Sequence, residues 1–436
     1  MEKMESRGTF TEYLPSYTIG VDAYKSVLHI VKRFGKNAVV IGGPTAMEKA
    51  RPKLEAALAG SEVSISSWIS YGTNSTHANA KRIAAMPEVI SADMLFLVGG
   101  GRAIDEGKEI ATILDKPYFT FPTLASNCAP VTRIAVFYKE DGSADTYFIP
   151  AELPVHTFID TQIIAESPDE YFWAGIGDAF SKGPEVELSS REVELLHSPL
   201  MGRALAAGAC IEPLFDNAEQ ALADKRAGIV SEAFENVVLN IIITAGVVSN
   251  MTTNIGAERG AYYFNSSTAH AFYNAFTALG ERGEKHLHGE VVSFGTCVLY
   301  AFDGNLKALE EQGIGRPSTY APTITTILAR HYVVKEQKNL YVTELGQIVN
   351  SMMVNYFGSI VDKDFTANLE HLLDSVGDGK TNWKTVISNF YPDLESAVEQ
   401  ASKELENVKI ADEVTDVICE NCGRNMVIKY GPHGKF

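Results

Sequence analysis

Apolar and polar positions along the first third of the chain separate into two kinds of element. Short runs rich in β-branched residues, at 37–41 (Asn-Ala-Val-Val-Ile), 63–68, 94–98 (Met-Leu-Phe-Leu-Val) and 118–121, read as buried strands. Between them, 46–58, 77–85 and 104–114 carry apolar residues at helical spacing. Strands alternating with amphipathic helices predict a parallel sheet joined by crossovers, an α/β layout of nucleotide-fold type. Residues 138–149 alternate around Asp141-Gly142, which predicts a hairpin. From about Ser167 the strand signals fade, and segments such as 221–248 combine Ala, Leu and Glu at helical periodicity, predicting a second, all-helical domain. The texture changes again after Asp303-Gly304-Asn305, where helical, acidic sequence runs on to Cys419-x-x-Cys422. The expected organisation is three parts, 1–165, 166–305 and 306–436.

The most apolar stretch, 237–251, is interrupted by Asn240 and Asn250 and is shorter than the ~18 residues of a membrane span. No apolar leader is read within the first 16 residues, so an unanchored, cytoplasmic protein is expected. Basic residues number 37 against 55 acidic, a net charge of -18, which argues against a coat of nucleic acid or anionic membrane. Five scattered cysteines make no disulfide framework and fit a reducing compartment.

Gly99-Gly100-Gly101 follows the strand 94–98 and precedes a helix, so its backbone N–H groups can approach a pyrophosphate at a helix N-terminus. The spacing is neither G-x-G-x-x-G nor a Walker loop: Gly107-Lys108 is followed by Glu109 where a Ser or Thr would be needed. A plain strand-to-helix turn explains the triplet equally well. A second constellation is Asp178, His270 and His288, one carboxylate and two imidazoles, a suitable set for a catalytic divalent cation with an open fourth position. Spacing along the chain does not by itself bring them together, and each histidine read alone is an ordinary packed or solvated imidazole.

Five motifs in order, Gly99-Gly100-Gly101-x-x-x-Asp105-x-x-Lys108, Pro122-Thr123-Leu124-Ala125-Ser126, Gly175-Ile176-Gly177-Asp178-Ala179, Ala269-His270-Ala271 and His288-Gly289-Glu290-x-Val292, give residues 10–305 a wider likeness. This region resembles the metal-dependent, iron-containing alcohol dehydrogenase superfamily, in its glycerol dehydrogenase-like branch. The resemblance implies a Rossmann-like dinucleotide-binding domain, a helical domain, and a metal held between them by Asp178, His270 and His288. It implies NAD or NADP along a groove made by Gly99, Gly100, Gly101, Asp105, Thr123, Ser126, Thr132, Ile134 and Tyr138. It also implies a small alcohol, diol or 2-hydroxy acid as substrate, and a homo-oligomer. Extra residues between Asp178 and His270 are expected to form a loop within 183–199.

Three departures from the pattern shape these expectations. Lys182 stands where iron-binding members have the histidine of D-x-x-x-H, which favours a three-ligand zinc site over a four-ligand iron site. Gly43 falls where NAD-specific relatives place an aspartate, so a 2'-phosphate meets no carboxylate from that position and NADP is admitted beside NAD. Cys128 replaces a polyol-binding aspartate, which disfavours glycerol and makes Ser126-Asn127-Cys128-Ala129 similar to relatives acting on 2-oxo and 2-hydroxy acids. His286 could relay a proton, although an exposed histidine is the simpler reading.

The tail carries Leu309-Glu310-Glu311-Gln312-Gly313-Ile314-Gly315-Arg316-Pro317-Ser318-Thr319-Tyr320-Ala321, Thr343-Glu344-Leu345-Gly346, Asp364-Phe365-Thr366-Ala367 and Cys419-x-x-Cys422-Gly423. Through these, 306–436 resembles a mainly helical C-terminal fragment of a bacterial type IA DNA topoisomerase. Neither that family's catalytic tyrosine nor its acidic magnesium-binding domain is found, so DNA cleavage is not expected. Cys419 and Cys422 amount to half a zinc ribbon, and the tail's 13 basic and 18 acidic residues give little support to nucleic-acid binding. The expectation is therefore an apparent chimera whose helical domain is truncated. Two rivals remain open: a DNA-binding module built on the tail, and a chimera that has lost activity.

Overall fold

The computed structural model describes residues 2–3, 12–150, 152–254, 262–277, 285–303, 326–336 and 339–358, then 380–404, 413–419 and 422–428 with shorter pieces around them. The chain divides into two compact units, Met1–Leu299 and Tyr300–Phe436.

The first unit is built on six parallel strands: β1 (Tyr17–Gly20), β2 (Asn37–Gly42), β3 (Ser64–Ser70), β4 (Met94–Gly99), β5 (Tyr118–Pro122) and β8 (His156–Asp160). Their order across the sheet is β1-β8-β5-β4-β2-β3, and every pair is parallel. The α/β expectation holds. Each central strand is apolar on both faces because helices cover both. Ala38, Val40, Met94, Phe96 and Val98 pack into one core with α1 (Pro44–Leu58), while Val39, Ile41, Leu95 and Leu97 pack into another with α3 (Gly101–Leu114). Helix α2 (His77–Ala84) joins the second core through Ala80 and Ile83. The expected hairpin is β6 (Ala135–Tyr138) against β7 (Ala144–Phe148).

The chain turns from β2 outward to β3, then returns to the other side of β2 as β4. This reversal leaves a crevice at the carboxyl ends of β2 and β4, where ligands bind in open parallel sheets. Gly99 ends β4 at φ +147°, a conformation that side chains rarely adopt, and its missing Cβ would stand 3.0 Å from Ala103 Cβ.

After β8 come α4 (Asp169–Ser190), α5 (His197–Ala207), α6 (Glu212–Arg226), α7 (Glu232–Thr252), α8 (Thr268–Thr277) and α9 (His288–Asp303). Four expectations are corrected here. Residues 183–190 are not loop: α4 runs through Gly183-Pro184, because Gly183 lets Ile211 and Ala206 approach within 2.8–3.0 Å of where its Cβ would be. The helical segment 221–248 is two helices, stopped at Gly228 with φ +70° and restarted where Ser231 accepts a hydrogen bond from the Phe234 N–H. The apolar stretch 237–251 belongs to a helix of 21 residues, long and apolar enough to cross a membrane, yet 67% of its most apolar window is buried. The part expected to be all-helical also contains a short strand pair, Thr253–Asn254 with Tyr262–Tyr263, and a strand, Val193–Glu194, that pairs with Glu2–Lys3.

The second unit includes helices Glu344–Phe357 and Trp383–Glu404 and antiparallel pairs Val333–Glu336 with Asn339–Val342 and Glu413–Ile418 with Asn425–Ile428. Cys419 and Cys422 form no disulfide and lie in the turn of the Glu413–Ile418 and Asn425–Ile428 pair, where the Gly423 N–H donates to the Cys419 carbonyl. The motif at 309–321, and all of the Asp364 motif except Phe365, lie outside the described residues.

Candidate active site

A cavity of about 480 Å³ opens within the first unit, and its lining includes Gly99, Gly100 and Gly101 together with Asp178, His270 and His288. Helix α3 starts at Gly101, three residues earlier than the apolar pattern suggests, so its unpaired N–H groups face this space.

Asp178 comes from the middle of α4, His270 from α8, and His288 is the first residue of α9. Close approach of α4 and α9 brings two of them together: a Cβ on Gly289 would lie 1.8 Å from the Ala174 carbonyl oxygen, and one on Gly177 would lie 2.8 Å from the Gly289 oxygen. Asp178 Oδ1 is then 3.3 Å from His288 Nε2 and 3.4 Å from His270 Nε2, and the three donor atoms lie within 4.8 Å of one another. Donors at about 2.0–2.1 Å from a tetrahedrally held cation stand about 3.4 Å apart, so the separations to Asp178 fit such an ion.

Two further charged groups complete the cluster, both on the Asp178 face of α4 at i+4 and i+7. Lys182 Nζ lies 3.4 Å from Asp178 Oδ1 and 3.3 Å from His270 Nε2. Glu185, fully buried, receives His270 Nδ1–H at 2.5 Å on one oxygen and the backbone N–H groups of Ser267 and His270 on the other. With Nδ1 donating to Glu185, Nε2 is the ring nitrogen turned to the cluster, 3.4 Å from Asp178 Oδ1 and 3.3 Å from Lys182 Nζ. Glu185 thus fixes the tautomer a metal ligand needs. Burial would raise the Asp178 carboxyl, but the Lys182 charge and the two imidazoles hold it well below the usual carboxylate range. Burial would likewise discharge Lys182, and the Asp178 carboxylate keeps it an ammonium. For His288 burial dominates and lowers the pKa, whereas for His270 burial is outweighed by the Glu185 carboxylate and the Asp178 contact, which raise it.

Of the expected cofactor residues, Gly99, Gly100, Gly101, Asp105, Ser126, Thr132, Ile134 and Tyr138 line the cavity. Thr123 does not: it is buried behind the wall, its N–H donating to the Gly99 carbonyl. Asp105 reaches the wall with both oxygens engaged, one by Lys108 Nζ at 2.9 Å and the other by the Val136 N–H at 3.0 Å. It braces α3 against the hairpin and is not a free acceptor. Cys128 lines the cavity with its thiol pushed up to about 11 by burial, which suits a passive wall and not a nucleophile. His286 is half-exposed and paired with Glu290 at 3.1 Å.

Glu185 was hidden in the segment read as a loop, and only the Asp178, Lys182, Glu185 spacing on one helix face could have signalled it. Tyr273, whose hydroxyl meets Tyr138 at 3.2 Å and whose ring stands edge-on to His288, gave no signal of its own.

Residues 15–161 match the model of the iron-containing alcohol dehydrogenase family, and residues 303–388 match that of DNA topoisomerase. Among solved structures, the fold is similar to a glycerol dehydrogenase from Schizosaccharomyces pombe, at 25% identity and TM-score 0.61 over 73% of this chain and 77% of that one. It is also similar to a probable glycerol dehydrogenase from Sinorhizobium meliloti 1021, at 23% identity and TM-score 0.59 over 73% and 83%. An iron-containing alcohol dehydrogenase from Thermotoga maritima matches at 20% identity and TM-score 0.56 over 77% and 90%. The two resemblances read from the motifs are thus supported by family models over residues 15–161 and 303–388, and the fold of the first unit by the solved structures.

Proposed function

We propose that the first unit is a metal-dependent oxidoreductase that moves a hydride between NAD or NADP and a small alcohol, diol or 2-hydroxy acid. The observation that carries this reading is the convergence of Asp178, His270 and His288 within 4.8 Å, in the cavity that the glycine turn also lines. The residues fit a divalent cation, with zinc favoured because Lys182 stands in place of a fourth imidazole. When bound, the cation supplies Lewis acidity to the substrate hydroxyl. The chain does the rest. Glu185 orients His270, Asp178 supplies negative charge held ionised by its neighbours, and the α3 N-terminus offers N–H groups to a pyrophosphate. Gly43 at the end of β2 presents no carboxylate to a 2'-phosphate, which leaves both dinucleotides open. The reading carries with it a small-molecule partner, a homo-oligomer and a cytoplasmic location, without nucleic acid. The topoisomerase match gives a DNA-binding tail its one supporting observation, and the tail's excess of acidic residues opposes it.

The test is a spectrophotometric NAD(P)H screen with glycerol, simple diols and 2-oxo acids, with zinc or a chelator. Asp178→Ala is expected to lower turnover by about 10³-fold or more, since it removes one of three donors. Turnover that survives complete metal removal or this substitution overturns the proposal.

A further inference from the structure

Lys182 is a buried cation placed among groups that would themselves hold a cation. Its Nζ stands 3.4 and 3.3 Å from two donor atoms, the same spacing that separates Asp178 Oδ1 from the two imidazole nitrogens. The side chain is 4% exposed, and one helical turn fixes it relative to Asp178. An ordinary i, i+4 ion pair points outward into water, whereas this one points into the donor cluster.

The contact with His270 is the decisive one. Glu185 engages Nδ1, so Nε2 is the ring nitrogen left for a metal, and Lys182 Nζ stands 3.3 Å from it. A lone pair directed at a metal ion cannot also receive an ammonium proton. Two positive charges a few ångströms apart in a buried site add repulsion to this exclusion.

Building on the metal-site reading above, we propose that Lys182 is an internal competitor for the cluster: its ammonium holds Asp178 and His270 in place in the metal-free protein, and metal uptake requires Nζ to leave them. Lys182 lines the cavity, which gives it a direction in which to move. The chain thereby keeps its donors preformed and satisfied without metal, at the cost of weaker metal binding. Lys182 is a positioning residue, and its effect is expected in metal affinity and in the stability of the metal-free protein.

The experiment is a zinc titration of the full chain against a chromophoric chelator, with thermal melting in zinc and in chelator. Lys182→Met is expected to bind zinc at least about tenfold tighter than wild type and to melt lower in chelator, because Asp178 is left buried without its partner. Lys182→Arg, which keeps the charge, should stay near the wild-type affinity. Equal or weaker zinc binding by Lys182→Met overturns the proposal while leaving the metal site standing. Zinc binding by Lys182→Met but not by wild type supports the proposal and defeats the oxidoreductase reading of the native chain. Binding by neither overturns both. Should Lys182→Met not fold, the wild-type crystal soaked in zinc decides: Nζ moved beyond hydrogen-bond distance of His270 Nε2 supports the proposal, and Nζ still in contact with it beside a bound ion overturns it.

Discussion

The two units spend their apolar residues differently. In the first, Phe96, Phe119, Phe121 and Phe158 are completely buried on one face of the sheet, and Phe172 and Phe234 meet in the core of the helical half. Among the described residues of the second, Val386 and Ala401 are the buried hydrophobics, whereas Trp383, Tyr391 and Ile418 are each more than half exposed. A sheet covered on both faces removes whole side chains from water, and separate helices and hairpins cover far less. A site with tight tolerances belongs in the first kind of structure, because only packed surroundings hold donors to fractions of an ångström.

Paired truncations should expose that difference most strongly. Phe96→Ala is expected to destabilise the first unit by about 3–5 kcal/mol, against about 1 kcal/mol for Val386→Ala in the second. Equal losses in denaturant titrations that follow each unit separately would show that the tail has a core of comparable density.

Within the first unit, the cluster depends on groups behind the donors. Glu185→Gln should weaken zinc binding by about 10–100-fold with little change in secondary structure, since a neutral amide holds the His270 tautomer less firmly. Unchanged affinity in a chelator competition would remove Glu185 from the site.

The last expected effect concerns pH. Glu106 on α3 is fully buried, and although the Thr76 N–H and Asn79 amide donate to it, burial raises its pKa to about 7. A carboxyl raised in the folded state stabilises fully below its unfolded pKa, near 4.3, and this stability is lost as pH rises through 7. Wild-type melting temperature should therefore fall between pH 5 and 8 more steeply than that of Glu106→Gln. Parallel profiles would mean that Glu106 ionises without cost.

Much of this was legible in the chain. The strands at 37–41, 94–98 and 118–121 announce themselves because side-chain period is a local property, and the hairpin at Asp141-Gly142 because turn chemistry is local too. Gly183-Pro184 misled for the same reason: both residues break isolated helices, but α4 continues through them where Gly183 admits Ile211 and Ala206. That error hid Glu185. Asp105 and Thr123 depend on tertiary context in another way. Both were expected along the cofactor groove; Asp105 reaches the cavity with both oxygens engaged, and Thr123 is buried outside its lining.

The sequence by itself determined the alternation of strands and helices, the glycine turn after β4, the identity of one carboxylate and two imidazoles, and the change of character near residue 305. Tertiary structure alone decided that those three side chains converge, since their meeting depends on α4 and α9 touching at Gly177 and Gly289. It also decided that Lys182 turns inward and that Glu185 sets the His270 tautomer. Periodicity and turn preference act over a few residues, whereas the distance between donors on separate helices is fixed by packing between segments far apart in the chain.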